Sequence, residues 1–122
     1  MSTNTVLITG AGGFIGSALA RGLAASSQGR LILCDRNLPD PPDGAEPIEG
    51  DLGDPAVLDR ALAAPPDVIF HLASVPSNLS EAEPALSRAV NLDASLALLD
   101  RLAAREQPAR MVYASTISLW AP

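Results

Sequence analysis

Thr5-Val6-Leu7-Ile8-Thr9 followed by Gly10-Ala11-Gly12-Gly13-Phe14-Ile15-Gly16 is the stretch that decides the fold of this chain. The first five residues are largely apolar and β-branched, the pattern of a strand. Glycines at 10, 13 and 16 remove side chains where a backbone turns tightly, approaches a pyrophosphate and lets a helix start pack on a sheet. Ile15, Leu19 and Leu23 recur at helical spacing, so the turn opens a helix whose free N–H groups and positive dipole end suit phosphate. A second apolar run, Arg30 to Asp35, closes on an acid nineteen residues after Gly16. An acid about 20 residues downstream of such a turn accepts hydrogen bonds from ribose hydroxyls. A flexible turn would explain the glycines alone. Strand, glycine turn, helix, strand and acid in this order instead form one βαβ unit, and its contacts to a dinucleotide are assigned to Gly10, Gly12, Gly13, Phe14, Ile15, Gly16 and Asp35.

The alternation continues beyond Asp35. Arg36 to Pro47, with Pro39, Pro41, Pro42 and Gly44, reads as a surface loop, and Pro47 to Gly50 as a short third strand. Asp54-Pro55 carries the N-cap and first-turn proline of a helix with Val57, Leu58, Ala61 and Leu62 as its apolar positions, stopped by Pro65-Pro66. Asp67 to Ala73 holds a fourth strand around Val68-Ile69-Phe70, and Met111 to Ser115 a fifth. Between them, Ser80 to Glu83 reads as a capping box before a long helix over 84–106. That helix is apolar on more than one face, with Leu86, Val90, Leu92, Leu96, Leu98, Leu99 and Leu102, so one side is expected to meet the sheet and the other a partner. Strands alternating with helices predict an α/β fold with a doubly wound parallel sheet in the order 3-2-1-4-5. In such a sheet the glycine turn, Asp35, Asp51, Ala73-Ser74 and Ser115-Thr116 all fall at the carboxyl ends of strands, on one ligand-binding rim.

Composition narrows the function classes. A chain of 122 residues is one domain at most, residues 1–122, large enough for a core but small for an enzyme that must also hold a substrate. Apolar residues make up 48% and aromatic residues 3%, which suits parallel strands built from Leu, Ala, Val and Ile and covered by helices. The net charge of −6 argues against nucleic acid and anionic membranes as partners, and all eight basic residues are arginine. Cys34 is the only cysteine, so neither an internal disulfide nor a multi-cysteine metal site is expected; between apolar neighbours it reads as a buried strand residue rather than a reactive thiol. The first residues lack the pattern of a signal peptide and no run approaches the ~20 apolar residues of a membrane span. A cytoplasmic protein is therefore expected.

Six segments resemble, in order, those of the extended short-chain dehydrogenase/reductases, in the branch of the NAD-dependent epimerases and dehydratases. Thr9 to Gly16 resembles the TGxxGxxG turn, Asp35 the ribose acid, Gly50-Asp51-Leu52 the adenine-contacting GDL, His71-Leu72-Ala73-Ser74 the HLAA segment, and Val90-Asn91-Leu92 the helix asparagine motif. Ala114 to Ala121 resembles the SSxxVYG-like segment, whose second hydroxyl residue, here Thr116, belongs to the catalytic triad. The resemblance implies cofactor contacts from Asp51, Leu52, Leu72, Ala73, Ser74, Asn91 and Ser115, a catalytic hydroxyl at Thr116, and a homodimer paired through the helix over 84–106. The stretch from His71 to Asp93 also resembles the dehydrogenases of four-carbon sugar acids, of the D-erythronate dehydrogenase type, implying a sugar or sugar-acid substrate.

Some positions depart from the pattern. Ser74, Trp120 and Ala121 replace residues that are usually Ala, Tyr and Gly. The family's YxxxK motif, in which a tyrosinate exchanges the hydroxyl proton and a lysine lowers its pKa, is not found: the single tyrosine is Tyr113, in a predicted strand, and there is no lysine. The chain is therefore expected to cradle a cofactor as the N-terminal half of an oxidoreductase, truncated after the fifth strand, and to lack turnover by itself; a non-catalytic dinucleotide-binding or redox-sensing module is the alternative. Asp35 would repel a 2′-phosphate and bond a free 2′-hydroxyl, favouring NAD, while Arg36 beside it could accept the phosphate if the acid turned away. His71 reads as a packed, hydrogen-bonded residue more readily than as an acid or ligand. Asn91 reads either as a backbone partner that bends its helix or as a solvent-facing residue.

Overall fold

The computed structural model describes residues 4–26 and 29–115. Five parallel strands, β1 (Thr5–Thr9), β2 (Arg30–Asp35), β3 (Glu46–Glu49), β4 (Val68–His71) and β5 (Arg110–Tyr113), lie in the order 3-2-1-4-5. Register aligns Thr9 with both Cys34 and His71, so the carboxyl ends of the central strands finish level. The strand order matches the sequence expectation; β3 and β5 each begin one residue earlier than expected.

Period-two alternation sorts the apolar side chains onto two faces. Leu7, Ile32, Cys34, Ile48 and Ile69 pack with Leu58 and Ala61 of α2 (Pro55–Ala61) and with Ala94 and Leu98 of α5 (Ala94–Ala103). Ile8, Leu31 and Leu33 face the other way, against Ala20 of α1 (Phe14–Ser26) and Leu38 of the following loop. Both faces of β1 and β2 are thereby buried, which is why those strands read as continuous apolar runs.

Local chemistry sets the helix ends. The Gly13 carbonyl accepts the Ser17 N–H at 2.9 Å, the first bond of α1. Asp54 caps α2, its carboxylate accepting the Ala56 N–H at 2.9 Å, with Pro55 in the first turn where its missing N–H leaves nothing unpaired. α2 ends at Ala61, before Pro65-Pro66 is reached, because the Leu62 backbone leaves the helical region at φ −103°, ψ 3°.

The stretch expected as one helix over 84–106 behind a capping box is organised differently. A short helix α3 (Ser77–Ala82) precedes it, followed by α4 (Pro84–Ser87), a π-helical segment (Arg88–Asp93) and α5, which ends at Ala103. Pro84 is the cause of the break, because its ring crowds the helical conformation of the preceding residue; Glu83 sits at φ −133°, ψ 76°. Glu83 is thus itself the cap residue of α4, and Ser80 lies inside α3 with its hydroxyl donating to the Val75 carbonyl at 3.0 Å. No capping box forms.

Leu98 and Leu99 are adjacent on α5 but differ completely in environment, at 0% and 46% exposure. Leu98→Ala is expected to lower unfolding free energy by about 2–5 kcal/mol, and Leu99→Ala by no more than about 0.5 kcal/mol. Urea denaturation of both variants checks this; equal losses would mean that the helix is rotated about its axis.

Candidate dinucleotide-binding site

The glycine turn is shaped by a collision that glycine avoids. Gly10 has φ +71°, and a Cβ there would lie 2.7 Å from the Ala73 nitrogen, so both the dihedral and the close passage over β4's exit exclude larger residues. A Cβ on Gly16 would run into the Gly10 carbonyl, which lets α1 start tight against the turn. Gly13 differs: an added Cβ would meet only the Gly10 oxygen, at 3.3 Å. Its open side faces a cavity of about 680 Å³.

That cavity is walled by Gly10, Gly13, Phe14, Ile15 and Gly16 from the turn, Asp35 and Arg36 from the end of β2, Gly50, Asp51 and Leu52 after β3, and Leu72, Ala73 and Ser74 after β4. The structure thus brings these thirteen residues from four strand ends to one rim, twelve of them assigned from sequence. Thr9, Cys34 and Val75 also line it without having been singled out for it. Three assigned residues stand off the wall. Gly12 lies behind it, its N–H donating to Asp35 Oδ2 at 2.8 Å. Asn91 turns to the backbone of Val75, and Ser115 follows Ala114, which does reach the cavity. Thr116, the expected catalytic hydroxyl, lies outside the described residues, as do the positions after it in its segment.

Asp35 is held from two sides, with Oδ2 on the Gly12 N–H and Oδ1 on the Arg36 N–H at 2.7 Å. Each oxygen keeps a lone pair for a further donor. The Arg36 guanidinium is paired elsewhere: Nη2 donates to Asp51 Oδ2 at 3.0 Å.

Beneath the rim, Thr9 and His71 form the centre of a closed hydrogen-bond chain. The Thr9 hydroxyl accepts the N–H groups of Leu72 and Ala73 at 3.1 and 3.2 Å, so its own proton is left to donate to His71 Nδ1 at 2.6 Å. That assigns the imidazole proton to Nε2, which donates to Ser95 Oγ at 2.8 Å, and the Ser95 hydroxyl donates to the Asn91 carbonyl at 3.1 Å. His71 is therefore packed and fully bonded, as its sequence context implies. Asn91 is a backbone partner: Oδ1 accepts the Val75 N–H at 2.7 Å, and Nδ2 donates to the Val75 carbonyl and to Ser87 Oγ, both at 3.2 Å. This clamp fastens the π-helical segment to the loop after β4. Neither Ser95 nor Val75 carries a sequence signal, since the contacts of Ser95 with His71 and of Val75 with Asn91 span 24 and 16 residues.

Burial pushes the Cys34 thiol up to about 11, with the Asp35 carboxylate adding to the effect. The only cysteine is thus a packed, protonated wall residue. Among the described residues no group of His, Cys, Asp and Glu is arranged to hold a metal ion, and no helix is long and apolar enough to cross a membrane.

Glycine turn, the acid that closes β2 and level strand ends define an α/β domain of the doubly wound, Rossmann-type class. Residues 6–122 match the NAD dependent epimerase/dehydratase family, and the chain belongs to it. It is 38% identical over 127 residues to D-erythronate dehydrogenase of Cupriavidus necator and 31% identical over 121 residues to that of Haemophilus influenzae. Each comparison takes in 94% of this chain, which spans 39% and 38% of the length of those two relatives. A short-chain dehydrogenase/reductase superfamily protein from Agrobacterium tumefaciens, solved with bound NAD, superposes with a TM-score of 0.82 at 26% identity, covering 97% of this chain and 34% of that one. The fold is that of this superfamily, whose NAD dependent epimerase/dehydratase branch takes its name from the cofactor.

Burial lowers the His71 pKa below the ordinary value of 6.5. The unfolded chain therefore takes up a proton that the folded chain resists, so the stability contributed by His71 is present above pH 6.5 and is lost as pH falls below it. His71→Asn should unfold more easily than the natural chain at pH 7.5, with the difference narrowing by about pH 5. Chemical denaturation at the two pH values measures this; a constant difference would contradict the neutral, buried imidazole.

Proposed function

We propose that this chain forms the NAD-binding part of an oxidoreductase that moves hydride at a hydroxyl-bearing carbon of a sugar or sugar acid. The observation that carries the reading is the cavity of about 680 Å³ that both the Gly13 backbone and Asp35 line. The residues fit the cofactor. First-turn N–H groups of α1 have no partner within the helix and would meet the pyrophosphate, while the spare lone pairs of Asp35 would accept the ribose hydroxyls and Asp51 would lie beside the adenine. NAD, when bound, supplies the hydride acceptor. Leu52, Leu72 and Ala73 would exclude water from the faces of the cofactor, and Ser74 and Ser115 would border its nicotinamide side.

Proton transfer at the substrate is a separate matter. Thr116 is assigned a hydrogen bond to the reacting hydroxyl, on its position after β5 and on the family resemblance. These 122 residues contain one tyrosine and no lysine, so a Tyr–Lys acid–base pair would have to come from outside them. The same fact favours the second reading, a dinucleotide-binding or redox-sensing module without turnover. The sugar-acid assignment rests on the erythronate dehydrogenases to which the chain is similar. Association through the helix side is supported by Leu92, Leu96 and Leu99, which are 43%, 50% and 46% exposed, and light scattering over a concentration series would report a dimer.

Calorimetric titration is expected to show NAD binding to the purified chain, weakened by Asp35→Ala. Gly13→Val should abolish binding while leaving the thermal transition in place, because the added side chain fills the cavity rather than the core. Failure of NAD to bind would overturn the assignment. The chain alone should produce no NADH from sugar acids, since general acid–base help is commonly worth ~10²–10⁴-fold; robust turnover would refute the division between binding and proton transfer. In an active, longer form, Thr116→Ala should reduce turnover far more than NAD affinity.

A further inference from the structure

Two neighbouring side chains at the end of β2 favour opposite cofactors. The Asp35 carboxylate suits a free ribose 2′-hydroxyl, and a guanidinium at Arg36 suits a 2′-phosphate, for which planar, bidentate donors are the usual recognition group. Among the described residues that line the cavity, Arg36 is the only basic one. Which preference prevails depends on where its guanidinium is held, and it is held on Asp51, 15 residues away in sequence and after a different strand, at 3.0 Å.

We propose that the Arg36–Asp51 ion pair is a selectivity latch, which keeps the guanidinium away from the 2′ position and so enforces the choice of the unphosphorylated cofactor. The proposal rests on the reading of this cavity as a dinucleotide site and adds to it the residue that decides between the two dinucleotides. Asp51 is built to serve as the anchor. Its Oδ1 accepts the Gly53 N–H at 2.9 Å, which leaves Oδ2 directed at Arg36. The backbone around it is fixed as well, since the Gly50 N–H donates to the Asp35 carbonyl at 2.9 Å and ties the anchor to the segment that carries Arg36. Both side chains of the pair are half exposed, at 50% each, so the ion pair is one that a phosphate could outcompete once the anchor's charge is gone.

The test is the ratio of NADP to NAD affinity, measured by calorimetric titration of both cofactors at one ionic strength. Asp51→Asn preserves the acceptor for Gly53 while removing the charge that holds Arg36, and it is expected to raise the NADP-to-NAD ratio about 5-fold, the range set by an exposed ion pair. Any weakening of adenine binding at position 51 affects both cofactors alike and cancels in the ratio. Adding Arg36→Ala to that variant should return the ratio to its starting value, because no guanidinium remains to release. An unchanged ratio in Asp51→Asn, or a gain that survives in the double variant, overturns the latch while leaving NAD binding intact. Failure of the natural chain to bind either cofactor is a different result, and it removes the dinucleotide reading and the latch together.

Discussion

The hydrogen bond from the Thr9 hydroxyl to His71 Nδ1 is the interaction on which the rim depends. Both residues are buried and aligned across β1 and β4, so the bond locks the ends of two parallel strands at the same height. Because the hydroxyl also accepts the N–H groups of Leu72 and Ala73, it sets the path of the chain leaving β4. That path passes so near Gly10 that only a glycine fits, and the glycine turn above inherits its position from it. The Leu72 N–H also donates to the Thr9 carbonyl at 3.1 Å, so removing the Thr9 hydroxyl would strand the Ala73 N–H and one imidazole nitrogen, and each unpaired buried polar group costs about 1–3 kcal/mol.

From His71 the same chain runs outward to the helix. Ser95 links the imidazole to the Asn91 carbonyl, and the Asn91 side chain in turn grips both polar groups of Val75. The π-helical segment between α4 and α5 places the Asn91 amide at the loop while α5 keeps Ala94 and Leu98 in the core. Such wide turns are rare and favour functional positions. Here the consequence is mechanical: the loop after β4, which forms one side of the cavity, is pinned from below by Thr9 and from the side by Asn91.

What could be read from sequence follows the range of the interactions. The glycine turn, the acid closing β2, the Asp54-Pro55 cap and the strand order are local signals or consequences of the right-handed crossover rule, and they needed no knowledge of distant partners. Ser80 misled because a serine three residues before a glutamate satisfies the capping pattern locally, whereas Pro84 forces Glu83 out of the helical region and the Val75 carbonyl claims the Ser80 hydroxyl. The π-helical segment was equally hidden, since the Leu-rich run from Leu92 to Leu102 satisfies an ordinary helical period and the widened turn depends on Asn91 meeting Val75. The family resemblance pointed to candidate cofactor residues that periodicity alone would not have ranked, and Asp51, Leu52, Leu72, Ala73 and Ser74 among them line the cavity. It did not anticipate that Arg36 would leave Asp35 for Asp51.

Asp35 is held in a way that its position at a strand end alone does not imply. A lone carboxylate at a strand end would swing between rotamers and lose entropy on meeting a ribose. Here Gly12 and Arg36 each donate a backbone N–H to a different oxygen, which fixes the plane of the carboxylate before any ligand arrives. Gly12 must also pass beside the Asn37 carbonyl, where a Cβ would collide, so the donor that orients the acid is set by the same glycine-rich turn that opens the helix. The glycine turn and the acid, to which the proposed reading gives phosphate and ribose, are therefore one hydrogen-bonded unit. A substitution that shifts the turn would misplace the acid even without touching it.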